Sequence, residues 1–377
     1  MRRLLLAFEP PDGGVAENVA QLALGLSAHG WEPVVAGPPE STAYERLETA
    51  GIEVRRLPFS RGVGDPFGEV RALRALAGLL DTGRFELLHA HSSKVGALGR
   101  IAARRKVTAV YSPHCFAFVG DVGFPRRVVA TAVERLLGRW TAAILCVCDD
   151  ERRRALAAHL TPPERLYRVH NGVESCPPGV AVDPRLARLR AQGPVVGAIA
   201  VLRRQKRLDL LIDAAPAILA GEPAASVVIV GNGPERSNLE AQAAALGLDR
   251  EPRFQMIPFE ESSWRYLTGL DIFVLPSEWE ALPIGVLEAL ACGVPQVATD
   301  VGGTGEAVKA GGTGLLIRPE ATEVARATIE LLRDPARRAE MAEASKRRQA
   351  QDFTVERMVG ATASVYDTVV SSRAKSR

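Results

Sequence analysis

Asp271-Ile-Phe-Val-Leu-Pro276-Ser-Glu278-Trp-Glu280-Ala-Leu-Pro283-Ile-Gly285-Val-Leu-Glu288-Ala-Leu-Ala-Cys-Gly293-Val-Pro295 is the stretch on which the reading of this chain turns. The apolar run Asp271–Leu275 gives way to a loop with Pro, Ser and two acids, and the loop leads into an apolar segment that stops at Gly293-Val294-Pro295. A continuous apolar run bounded by breakers reads as a strand covered on both faces. The later segment reads as a helix that starts near Ile284 and ends at the Gly–Pro stop. The opening of such a helix leaves backbone N–H groups without partners and a partial positive charge, which together suit a diphosphate. Glu288 lies just inside it. Because Cβ vectors lean toward the helix N-terminus, its carboxylate can point back at whatever sits there. Flanked by Val286, Leu287, Ala289 and Leu290, that acid needs donors such as sugar hydroxyls. The plainer alternative is an exposed loop acid, Glu280, and a helix acid, Glu288, held in a structural ion pair.

The same strand-then-helix pattern repeats on both sides. Strand candidates fall at 3–8, 33–36, 52–57, 86–90, 107–111, 143–148 and 166–169, then at 195–201, 226–230, 253–257, 271–275, 295–299 and 314–317. Helical stretches lie between them, at 15–29, 69–81, 94–105, 126–139, 207–220, 235–246, 284–293 and 321–333. Strands alternating with helices mean βαβ units and parallel sheets. Cys176-Pro177-Pro178-Gly179 and Gln192-Gly193-Pro194 bracket the best boundary. The expected organisation is an α/β chain of two doubly wound domains: residues 1–175, a linker at 176–193, residues 194–355, and a helix and tail at 356–377 returning to the first domain. The last residues, from Ser371, are expected to fray. Two such domains facing each other would set the carboxyl ends of both sheets on one interdomain cleft, the usual ligand region of open α/β sheets.

Composition narrows the classes. With 377 residues, 47% hydrophobic and 24% charged, the chain is of ordinary globular composition and long enough for two domains. A net charge of +3 and only 5% aromatic residues give no basic stripe interleaved with aromatics, so no nucleic-acid partner is expected. No apolar run approaches a membrane-spanning length. Cys115, Cys146, Cys148, Cys176 and Cys292 show no metal-type spacing and read as small buried thiols of a reduced, cytoplasmic protein.

The 276–306 segment, through Ala298-Thr299-Asp300-Val301-Gly302-Gly303-Thr304-Gly305-Glu306, resembles the E-x7-E signature of retaining glycosyltransferases of the GT-B fold, in the large family 4. His89-Ala90-His91-Ser92-Ser93-Lys94, Ser112-Pro113-His114, Val169-His170-Asn171-Gly172-Val173 and Gly231-Asn232-Gly233-Pro234 carry the resemblance over residues 10–320. It implies transfer of a sugar from a nucleoside diphosphate sugar, UDP favoured, to a saccharide, lipid-linked saccharide or small-molecule hydroxyl, with no metal. Glu288 would hold the ribose hydroxyls and Glu280 those of the donor sugar. The Pro283, Ile284, Gly285 and Val286 amides would hold sugar and diphosphate, with Gly231 also on the donor side. Lys206 would offset the charge of the leaving diphosphate. The family usually places an Arg where this chain has Val201, so Arg203 or Arg204 would substitute, or leaving-group stabilisation is weaker.

In the first half, Gly13-Gly14 would lie under the donor phosphate, and His114 against the donor sugar or the transferring oxygen. His91 and Lys94 would face the acceptor. Cys115 replaces the family's Gly after the histidine, which implies a different local backbone. Asn171-Gly172 reads as a turn. Phe124-Pro125-Arg126-Arg127 opens a helix carrying Arg135 and Arg139 among Val128, Val129, Val133, Leu136 and Leu137. It reads as a surface helix with its apolar side turned inward. The second option is a basic amphipathic element on anionic lipid, in peripheral contact with the inner membrane face. Other classes fit less well. A dinucleotide fingerprint at Gly231-Asn232-Gly233 fails at Arg236, where its third Gly belongs. A GT-B nucleotide-sugar epimerase or weakly catalytic sugar-nucleotide binder remains the alternative.

Overall fold

The computed structural model describes residues 1–59, 65–104 and 106–375, and these form two units. The first comprises Met1–Gly172 and the chain from Val355 onward; the second is Val173–Thr354. The anticipated linker at 176–193 contains a helix, Pro184–Arg190, whose Leu186 and Leu189 are buried, and it belongs to the second unit.

In the first unit, strands β1 (Arg2–Ala7), β2 (Trp31–Gly37), β3 (Glu53–Arg56), β4 (Leu87–His91), β5 (Thr108–Ser112), β6 (Ala143–Cys146) and β7 (Leu166–Arg168) form one parallel sheet. Its order is β3-β2-β1-β4-β5-β6-β7. The second unit's sheet is also parallel, from β8 (Val195–Ile199), β9 (Ser226–Val230), β10 (Phe254–Ile257), β11 (Ile272–Leu275), β12 (Gln296–Thr299) and β13 (Gly314–Ile317). Its order is β10-β9-β8-β11-β12-β13. The strands are buried apolar runs because helices cover both faces: Leu4, Leu5 and Leu6 are fully buried, as are Val227 and Val274. Each such side chain contributes on the order of 2 kcal/mol by leaving water. Strand order reverses between β1 and β4 in one sheet and between β8 and β11 in the other. These reversals open a crevice at the strands' carboxyl ends.

The long helix Val355–Lys375 completes the first unit. Met358, Val359, Ala363, Tyr366 and Val369 join the core of Leu4, Leu6, Leu22 and Trp31. Asp367 pairs with Arg2. The tail expected to fray from Ser371 stays helical to Lys375, and residues 376–377 lie outside the described residues.

One helix differs from its anticipated orientation. In Phe124–Gly138 the apolar side faces out: Phe124, Val128, Val129, Val133 and Leu136 are exposed, and only Glu134, Leu137 and Gly138 are buried. The reason is a polar anchor. The Glu134 carboxylate accepts from Arg100 Nη1 at 2.8 Å and from Tyr111 Oη at 3.2 Å, with the Arg100 guanidinium 3.9 Å over the Tyr111 ring. The inward face is thereby fixed by one buried ion pair rather than by the valines. Among the described residues, no helix is long and apolar enough to cross a membrane.

Candidate functional site

The second unit's crevice brings the loop after β8 against the loop after β11. Gln205 ties them together: its side chain donates to Trp279 O at 2.7 Å, and its carbonyl accepts from the Glu278 amide at 2.9 Å. The turn Arg204–Lys206 ends on Arg207, held in the left-handed region at φ +47° and anchored by a fork of hydrogen bonds to Asp209. This winding turns Lys206 Nζ onto Glu280 Oε1 at 2.5 Å. Ser277 Oγ donates to the same oxygen at 2.7 Å. Among the described residues no donor meets Glu280 Oε2, which leaves one carboxylate oxygen for a ligand hydroxyl. Glu280 is therefore not the exposed loop acid of the plainer alternative: it is nearly buried and paired with Lys206, with half of its carboxylate unused.

Glycines keep these loops close. Gly302, at φ +55°, lies where a Cβ would stand 1.8 Å from Glu280 O, and the Gly303 amide donates to Ala281 O at 2.6 Å. Any side chain at 302 would push the acid loop away. Gly231 serves the other loop: a Cβ there would lie 2.0 Å from Ala200 O. The Gly231-Asn232-Gly233 turn thus packs on the 200–202 backbone, which accounts for its glycines without a dinucleotide.

Helix Ile284–Cys292 starts at Pro283 with no side-chain cap. Of the four residues expected to offer amides, Pro283 has no N–H, and the Val286 N–H is taken by Pro283 O at 3.1 Å. Ile284 and Gly285, in the first turn, are the amides that helix geometry leaves for an anion. Glu288 follows one turn later and is half-buried. Val201 is exposed and offers no cation, while Arg203 and Arg204 are exposed beside Lys206. In the same unit, Cys292 Sγ meets Cys176 Sγ at 2.6 Å. Cys146 and Cys148 are buried as expected, whereas Cys115, Cys176 and Cys292 are partly exposed.

In the first unit, Gly13 and Gly14 are exposed at the uncapped start of helix Gly14–Leu26, just beyond β1. Three histidines gather at the carboxyl ends of β4 and β5, His89 and His91 within β4 and His114 two residues past β5. His89 is hydrogen-bonded to Tyr366 Oη at 2.6 Å and to Ser112 Oγ at 2.8 Å. His91, expected on the acceptor side, is fully buried, because its β4 neighbours cover it and its ring packs on His89. Its Nδ1 lies 2.9 Å from His114 Nε2. Burial holds all three rings well below the usual histidine pKa, His114 at about 4. His91 Nε2 is buried without a partner. A bare N–H in protein costs more than a bare lone pair, so His91 carries its proton on Nδ1 and donates to His114. His114 then carries its own proton on Nδ1. It presents a donor, not a base.

Cys115 adopts φ +101° and His114 φ +50°, so the cysteine takes the conformation glycine favours rather than altering it. Glu151 enforces this: one carboxylate oxygen accepts the Cys115 amide at 2.7 Å and the other the Val147 amide at 2.8 Å. A small cavity here is lined by His89, Ser112, His114 and Asn171 among others. Asn171 is more than a turn residue: it is buried and accepts from Asn18 Nδ2 at 3.0 Å. Lys94 pairs with Glu69 at 2.5 Å.

Comparison with known proteins agrees with this architecture. Residues 13–172 match the glycosyl transferase 4-like domain, and residues 185–348 the glycosyl transferases group 1 model. A GDP-mannose-dependent alpha-(1-6)-phosphatidylinositol monomannoside mannosyltransferase of Mycolicibacterium smegmatis is 30% identical over 90% of this chain and 91% of its own. The UDP-Gal:alpha-D-GlcNAc-diphosphoundecaprenol alpha-1,3-galactosyltransferase of Escherichia coli is 27% identical over 66% of each chain. HepE from Anabaena, solved with UDP and glucose, superposes with a TM-score of 0.82 at 21% identity, covering 97% of this chain and 100% of its own. With two parallel-sheet units, each matched by its own family model, and a relative at this identity along nearly the whole length, the chain belongs to the group 1 glycosyltransferases and has the GT-B fold.

Proposed function

We propose that the chain is a cytoplasmic retaining hexosyltransferase that moves a sugar from a nucleoside diphosphate sugar to a hydroxyl of a saccharide, lipid-linked saccharide or small molecule. The observation that carries this reading is the grouping of Lys206, the half-engaged Glu280 and the uncapped start of helix Ile284–Cys292 at the second sheet's reversal point. The Ile284 and Gly285 amides take the diphosphate. Lys206 meets the charge that grows on it as the sugar leaves, with Arg203 and Arg204 the cations available in place of the arginine missing at 201. This set requires no divalent metal. Glu280 Oε2 takes donor-sugar hydroxyls and Glu288 those of the ribose. Its other oxygen already neutralised by Lys206, Glu280 orients the sugar and does not attack it. Retention then follows from acceptor attack on the face the diphosphate leaves, with the diphosphate taking the proton. His114, as a neutral donor, orients a sugar or acceptor oxygen.

UDP is favoured because the E. coli relative's name specifies UDP-Gal and HepE was solved with UDP. The mycolicibacterial relative's name specifies GDP-mannose, so the nucleotide needs a direct test. Thermal shift with UDP-, GDP- and ADP-sugars, with and without EDTA, should single out one donor, its shift indifferent to chelator. Glu288→Ala should abolish that shift and leave the unliganded melting curve near wild type. Unchanged binding in that variant refutes the ribose assignment. A product of inverted anomeric configuration refutes retention, and acceptor-free conversion of the donor to an epimer refutes transfer.

A further inference from the structure

Helix Phe124–Gly138 turns five large apolar side chains to the outside: Phe124 is 78% exposed, Val129 62%, Val128 50%, Leu136 49% and Val133 42%. At 100° per residue they spread over about half of the helix circumference, with Arg135 and Arg139 interleaved among them and Arg126 at the edge. A surface helix ordinarily shows the reverse arrangement. A contiguous exposed apolar patch of this kind marks an interaction surface.

The charges identify the partner. The helix has one acid, Glu134, and it is buried against Arg100. Among the described residues none of Arg126, Arg127, Arg135 and Arg139 has a carboxylate partner. Arg135 donates to Ala158 O and Arg127 reaches Gly120 O, both neutral acceptors. The nearest acid in sequence, Asp121, precedes the helix. The outward face is thus apolar and purely cationic. A second copy of the chain docking through the same patch in a two-fold pair would set these arginines against their counterparts.

We infer that this helix lies in the interface of an anionic lipid bilayer, its valines, phenylalanine and leucine entering the acyl boundary and its arginines meeting lipid phosphates. Glu134 is the device that makes this workable, since it fastens the helix to the protein from the opposite side and withdraws the one charge that anionic lipid would repel. The inference is independent of the donor assignments above.

The test is co-sedimentation of the full chain, without substrates, with vesicles of phosphatidylcholine alone or mixed with phosphatidylglycerol. Binding should require phosphatidylglycerol and weaken with salt. Each arginine near an anionic surface is worth roughly fivefold in partition, so Arg126→Ala with Arg139→Ala should weaken binding on the order of 25-fold. Val129→Asp should weaken it as well, and all three side chains are exposed, so melting curves should match wild type. Absence of binding to phosphatidylglycerol vesicles overturns the proposal, as does binding that these variants leave unchanged. A wild-type dimer in light scattering that Val129→Asp converts to monomer also overturns it, in favour of a protein partner.

Discussion

At the ends of β4 and β5 the first unit packs three histidines against one another and keeps them neutral, whereas beyond β8 and β11 the second pairs a lysine with a glutamate, sharing one oxygen with a serine hydroxyl. The first arrangement fixes where single protons sit and so which groups donate. The second stores opposite charges side by side, ready to be redistributed when an anion arrives. A group that must stabilise developing charge needs a full charge of its own, while one that only orients an oxygen works best as a rigid neutral donor.

The contrast can be broken most severely through Glu151. Removing its carboxylate strands the Cys115 and Val147 amides, so Glu151→Ala should lower unfolding free energy by about 4 kcal/mol in denaturant titration. Acid should separate the two regions next. Below pH 6.5 the unfolded chain binds protons at these histidines that the folded chain resists. Stability should therefore fall as the pH drops from 6.5 toward 4, by about 3 kcal/mol from His114 alone. A flat profile in chemical denaturation over that range would contradict the buried neutral cluster. Lys206→Ala should cost about 2 kcal/mol, because Glu280 is nearly buried and keeps only Ser277. It should also remove the donor-induced thermal shift. The smallest effect sharpens the first: Cys115→Gly in the Glu151→Ala background should recover about 1 kcal/mol, since glycine reaches φ +101° unaided.

Much of the architecture was legible because buried parallel strands are unbroken apolar runs. Among the described residues each of the thirteen strands falls on an anticipated run, Ile272–Leu275 included, and the helix Ile284–Cys292 begins where it was expected. What the pattern did not disclose was direction. The valines of Phe124–Gly138 have the spacing of an inward face, and only the contact of Glu134 with Arg100, 34 residues away in sequence, reveals that they point outward. Partners distant in sequence were equally invisible: nothing local marks Tyr366 as the partner of His89, or Glu151 as that of Cys115. Nothing in the sequence marks Gln205 or Ser277, because a neutral side chain in a loop carries no periodic signal. Lys206 and Glu280 stand out one residue at a time through the family resemblance, but their mutual contact does not.

The return of helix Val355–Lys375 to the first unit sets an order on biogenesis. Until that segment has left the ribosome, Trp31 and His89 lack the Tyr366 that covers one and bonds the other, and Gly25 lacks the Val359 packed against it. The nascent amino-terminal half must therefore wait, its apolar sheet face open, while the half translated after it already has every strand it needs. A chain stopped just after residue 354 has its later-made half whole and its earlier-made half unfinished, exposed to chaperone and protease alike.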